Sequence, residues 1–167
     1  MATTARDTGV RATGTRSTGA TLARGAVGGL AAGAVFAAVT MWFMVSMGQP
    51  ATMPLMMIAA IVQGQEALAA GTAGPALGVL VHMALSLAFG LVFAAATARI
   101  RSNATIAVLG AVYGVLLYVV NFLVLAPLVF PWFGQANQPF EFVVHIVFGV
   151  LVAFAVFHRT SAGSRTS

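Results

Sequence analysis

The chain has 167 residues, of which 60% are hydrophobic and 7% charged, against about a quarter charged in a soluble domain. That balance excludes a water-soluble globular fold and points to a membrane protein. The net charge of +5 comes from eight arginines beside apolar segments, with no lysine and no cysteine; this suits anionic headgroups rather than nucleic acid and excludes disulfides, thiolate metal sites and C-x-x-C-H haem attachment.

Residues 1–21 are mostly Thr, Ala, Gly, Ser and Arg with little to bury, and are expected to form a disordered basic segment. The apolar run behind them outlasts the roughly 7–15-residue core of a cleaved signal peptide, so it reads as a span. This first span is placed at about residues 22–47 and carries Gly25, Gly29 and Gly33 at four-residue steps, a stripe that lets a neighbouring backbone approach closely. No strand precedes these glycines and no lysine follows them, so they are not a phosphate cradle.

Gly48-Gln49-Pro50 ends the helix. Residues 53–62 are apolar but too few to cross a hydrocarbon core of about 30 Å. They are expected to form a short helix at the outer interface, capped by Thr52 with Pro54 in its first turn, continuing toward Ala70 until Gly71 stops it. Gly74-Pro75 starts the second span, about 76–98, which bears His82, Ser86, Gly90 and Ala94 on one face and closes at Arg99 and Arg101. Ser102 or Asn103 caps the third span, about 104–126, with Gly110 and Gly114 on its packing face. Pro127, Pro131 and Gly134 break the chain beside Trp132, which reads as an aromatic-belt residue, and its neighbour Phe133. The fourth span, about 139–157, carries His145, Gly149 and Ala153; His158 and Arg159 mark its exit, and residues 159–167 are expected to be a disordered tail.

Arginines 6, 11, 16 and 24 precede the first span, Arg99 and Arg101 separate the second from the third, and Arg159 and Arg165 follow the fourth. The other two loops hold no basic residue. The positive-inside rule therefore puts both termini in the cytoplasm.

Gly110 and Gly114 in the third span match Gly25 and Gly29 in the first, and each pair precedes a Gly-Gln dipeptide, Gly48-Gln49 or Gly134-Gln135. Each hairpin then delivers a helix with a histidine followed by small residues at the fourth and eighth positions. The reading is a duplicated two-helix unit related by an axis along the membrane normal, with His82 and His145 facing each other about 9–10 Å below the outer surface.

A polar side chain in hydrocarbon is either functional or helix-packing glue. The candidates are His82, His145, Glu141 and Asn121, with the Glu141 carboxylate one turn before His145 and placed to hydrogen-bond its ring. Four uses are weighed. The residues tie helices together, or His82 and His145 ligate a b-type haem between two helices. Alternatively they bind copper, with Met44 and Met47 as thioether ligands, or they carry a small ion or proton. H-E-x-x-H, G-x-S-x-G and paired intramembrane aspartates are absent, so no hydrolase chemistry is visible.

Gly25-x3-Gly29-x3-Gly33, His82-x3-Ser86, Gly110-x3-Gly114 with Pro127, and His145-x3-Gly149 together make the chain resemble a group of small, uncharacterised four-span bacterial inner-membrane proteins over residues 22–158. It departs from their pattern at Ser86, where Gly is more usual. The resemblance implies fold and inner-membrane location and no activity. The expectation is an all-α, polytopic four-helix bundle of two duplicated hairpins with a short interfacial helix in the first outer loop. Its role is read as a non-enzymatic structural or accessory subunit, contacting lipid and either a second copy or another membrane protein.

Overall fold

The computed structural model describes Thr18 to Phe157. Residues 1–17, with three of the arginines, and His158, Arg159 and the tail to Ser167 lie outside the described residues. The described chain is helical, with no strand. In order it forms α1 (Thr18–Ser46), α2 (Met53–Gln63), α3 (Gln65–Ala69), α4 (Pro75–Thr97) and α5 (Asn103–Tyr118). A π-helical segment (Val119–Leu125), α6 (Ala126–Leu128), a 3-10 turn (Pro131–Gln135) and α7 (Gln138–Val156) complete it. Four stretches are long and apolar enough to cross a bilayer: α1, α4, residues Asn103–Leu128 and α7. This is an all-α bundle of membrane-spanning helices.

Helix ends follow local chemistry. Ser102 Oγ accepts the Thr105 N–H at 3.2 Å and starts α5, and Asn137 Oδ1 accepts the Phe140 N–H at 3.0 Å and starts α7. Thr52, expected to cap α2, makes no side-chain cap bond; Pro54, which has no N–H to satisfy, serves the first turn instead. The expected continuation to Ala70 is interrupted, because Gly64 adopts φ 88° and splits α2 from α3. α1 begins at Thr18, inside the segment read as disordered.

α1 packs on α4, α5 on α7, and the two hairpins join chiefly through α1 and α7. The glycine stripes make these contacts. A Cβ added at Gly25 would meet Ala94 and the Gly90 carbonyl, and one at Gly29 would meet the Ser86 carbonyl; the same test at Gly110 meets Ala153 and the Gly149 carbonyl, and at Gly114 the His145 carbonyl. The hairpins therefore share one register, but not the one that aligns histidine with histidine. Gly90 matches Gly149, Ser86 matches His145, and His82 matches Glu141. The stripe on α1 is spent inside the bundle, with Gly25, Gly28, Gly29 and Gly33 all buried, so it offers no exposed surface for self-association.

The two inter-hairpin seams differ for a similar reason. Gly28 lets α1 close on Ala155 of α7. Its counterpart in α5 is Tyr113, whose ring packs against Phe93 at 5.3 Å and whose hydroxyl donates to the Phe89 carbonyl at 3.0 Å, holding α4 and α5 a side chain apart.

The third span is not a plain α-helix. Pro127 has no N–H, and in an α-helix its ring would clash with the Leu123 carbonyl; the turn before it widens, with the Ala126 N–H reaching back to Asn121. Gly110 precedes Gly134 by 24 positions where Gly25 precedes Gly48 by 23. The wide turn accommodates that extra residue.

α2 lies along the first turns of α4, burying Leu55, Ala59 and Ala60, and Gly78 is where the α2 backbone at Leu55 comes closest. Trp132, expected in an aromatic belt, is instead 8% exposed and donates its Nε1–H to the Met57 carbonyl at 2.9 Å. Trp42, 67% exposed near the same end of α1, has the outward placement of a belt residue.

Candidate functional site

His82 and His145 each lie seven residues into their helices, α4 and α7, and both rings reach one side chain of α1. Phe36 stands 5.6 Å from the His82 ring and 5.0 Å, edge-on, from the His145 ring. The two imidazoles thus converge, with a phenyl ring against each.

Each imidazole is tied to a backbone carbonyl. His82 Nε2–H donates to Gly33 at 2.9 Å across the α1–α4 seam, where the missing side chain at Gly33 makes room for Ser86. His145 Nδ1–H donates to the Glu141 carbonyl one turn earlier at 2.7 Å. The expected carboxylate bond is absent: Glu141 Oε2 is 3.8 Å from Nδ1, too long for one. Glu141 itself is buried in the first turn of α7.

His145 is further enclosed by Phe122 at 5.4 Å and Tyr118 at 6.1 Å, with Phe36 completing three sides. Tyr118 is held in turn by its hydroxyl bond to Gln138 Oε1 at 3.1 Å and by the Phe142 ring. None of these aromatic residues stood out in the sequence. The available signal was the four-residue step from Tyr118 to Phe122, which puts two rings on one face of the third span.

The remaining sequence candidates are dispersed. Asn121 sits half-buried in the π-helical turn, where its backbone carbonyl accepts the Ala126 N–H. Met44 and Met47 lie about 12 and 16 Å beyond Phe36 along the α1 direction at 1.5 Å per residue, and Met47 is 59% exposed. Ser86 Oγ donates to the His82 carbonyl at 2.8 Å. Among the described residues no three His, Asp or Glu side chains come close enough to hold a metal ion.

Fold and site together define a multi-pass helical membrane protein whose interior imidazoles are bonded to main-chain carbonyls. Comparison of the chain with known protein families, with characterised proteins and with solved structures gives no match in any of the three.

Proposed function

We propose that this chain is a non-enzymatic accessory or structural subunit of the bacterial inner membrane, with both termini cytoplasmic. In it His82 ties α4 to α1 by a hydrogen bond, and His145, bonded within its own helix, acts by packing among Phe36, Tyr118 and Phe122. The observation that carries the reading is the bond from His82 to the Gly33 carbonyl across the α1–α4 seam, with Phe36 of α1 packed against both imidazoles. His145 keeps Nε2 open while its Nδ1–H is bonded, an arrangement ligating histidines share. His82, however, has its Nε2 committed to Gly33, and bis-imidazole haem would have to displace Phe36, whose ring stands against both imidazoles. Location rests on the resemblance in residues 22–158. Orientation rests on Arg24, Arg99 and Arg101, which share one end of the bundle; there Arg24 Nη1 also donates to the Phe157 carbonyl at 3.1 Å.

The test is an absorption spectrum and metal analysis of protein purified in mild detergent. The expected result is no Soret band and no stoichiometric copper, with His82→Gln still assembled. A Soret band that disappears in His82→Ala or His145→Ala overturns the reading in favour of haem, and stoichiometric copper lost with Met44 and Met47 does so in favour of metal handling. Because the chain has no cysteine, single cysteines at Ser102 and Ala136 test orientation: an impermeant maleimide added to intact spheroplasts should label position 136 alone. Native electrophoresis of solubilised membranes tests the accessory role, which requires the chain to run with a larger assembly.

A further inference from the structure

α1 and α7 touch where Gly28 meets Ala155, then diverge toward the other end of the bundle, where Phe36 and Phe43 take the place of small residues. The divergence leaves a slot of about 250 Å³ between the two helices, walled by Val35, Phe36 and Val39 on α1 and by Val143, Val147 and Phe148 on α7. Phe140 stacks on Phe43 at 3.9 Å and closes one end. Ala32 and Leu151 bound the other. Val35, Val39, Val143 and Val147 are each more than a third exposed, so the slot opens sideways along two spanning helices.

An empty slot here would forfeit the dispersion contacts of its whole lining. Its size decides the occupant. About 250 Å³ is roughly eight water volumes of ~30 Å³ each, whereas a helix is ~10–12 Å across and does not fit. The lining residues are all apolar, so water, a headgroup or a polar ring would lose its hydrogen bonds on entering. A thin, unbranched hydrocarbon chain meets both conditions, and the bilayer supplies it along the open side.

We propose that the α1–α7 slot is a binding site for one acyl chain of a membrane phospholipid, held by shape and apolar contact rather than by its headgroup. The occupant packs against Phe36, whose ring also touches both histidines, so the lipid supports the histidine pair from outside.

Native mass spectrometry of the full chain in mild detergent tests this, with delipidated protein titrated with dioleoyl phosphatidylglycerol or dioleoyl phosphatidylethanolamine. The wild type should retain one phospholipid, of either headgroup. Val147→Phe and Val39→Phe, which fill the slot from its two walls at partly exposed positions, should lose it, and Val92→Phe on the exposed face of α4 should keep it. Two fillers are used so that misfolding of one leaves the other informative, and circular dichroism confirms the fold of each. The proposal is overturned if the wild type retains no lipid, if both fillers retain as much as Val92→Phe, or if retention follows the headgroup and ignores the fillers. It is equally overturned if a second copy of the chain, rather than lipid, is what the fillers displace.

Discussion

His145 occupies in the second hairpin the place that Ser86 occupies in the first, and each side chain donates to the carbonyl four residues before it, at 2.7 and 2.8 Å. The same backbone tie is thus made by a large ring in one hairpin and a small hydroxyl in the other. The ring fills the space between Phe36, Tyr118 and Phe122, so its packing should outweigh its hydrogen bond. His145→Phe, which keeps an aromatic ring and loses the bond, should cost about 1 kcal/mol, and His145→Ser, which keeps a donor and opens a cavity, about 2–4 kcal/mol. Thermal unfolding of the two variants in one detergent gives the order; a reversed order would mean that the hydrogen bond dominates.

The glycines separate into two groups by what a methyl would strike. At Gly90 it meets the Gly25 carbonyl and the Gly29 backbone, and at Gly149 the Gly110 carbonyl and the Gly114 backbone, so neither side can yield without moving a helix. Gly90→Ala and Gly149→Ala should each destabilise the bundle by about 2 kcal/mol or more, whereas Gly134→Ala, with nothing within 4 Å, should stay within ~0.5 kcal/mol. Equal losses at all three positions would refute the shared hairpin register.

Span count, helix starts at Ser102 and Pro75, and the packing role of the glycines were readable because each depends on local chemistry or on a four-residue period within one helix. The repeat was readable too, but its register was not. Aligning His82 with His145 is the obvious choice by residue type, while the contacts at Gly25 and Gly110 put His145 with Ser86. The extra residue between Gly110 and Gly134 was visible as a count, yet its consequence required knowing that Pro127 remains within a helix and forces a wider turn. The box around His145 draws one ring from α1 and two from the third span, and no periodicity within a single helix reveals a contact across helices. Trp132 misled for the reverse reason: beside two prolines at a loop it has the sequence setting of a belt residue, but α2 covers it.

Trp132 and Met57 form the one side-chain bond to main chain between α2 and the second hairpin among the described residues. Removing it should loosen α2 and leave the spans in place. Trp132→Phe keeps most of the buried aromatic surface and deletes the Nε1–H, so global stability should fall by about 1 kcal/mol, while amide exchange in α2 should quicken more than in α4 or α7. Uniform quickening across all helices would show that α2 is integral to the bundle rather than strapped onto it.

Thr40 carries the opposite prediction. It is 7% exposed, and its Oγ1 has no hydrogen-bond partner, although Thr97 in α4 satisfies its own hydroxyl on the Phe93 carbonyl one turn back at 2.8 Å. A void of about 20 Å³ beside Thr40, bounded by His82, Pro54, Leu55 and Ile58, holds at most one water. If that void is dry, the hydroxyl carries an uncompensated desolvation cost of about 1–3 kcal/mol, which valine of nearly the same shape removes. Thr40→Val should therefore raise the unfolding temperature. A fall instead would show that a water bridges the hydroxyl to its surroundings, and Thr40→Ser, which keeps the donor and frees a methyl's worth of space, should then retain more stability than valine.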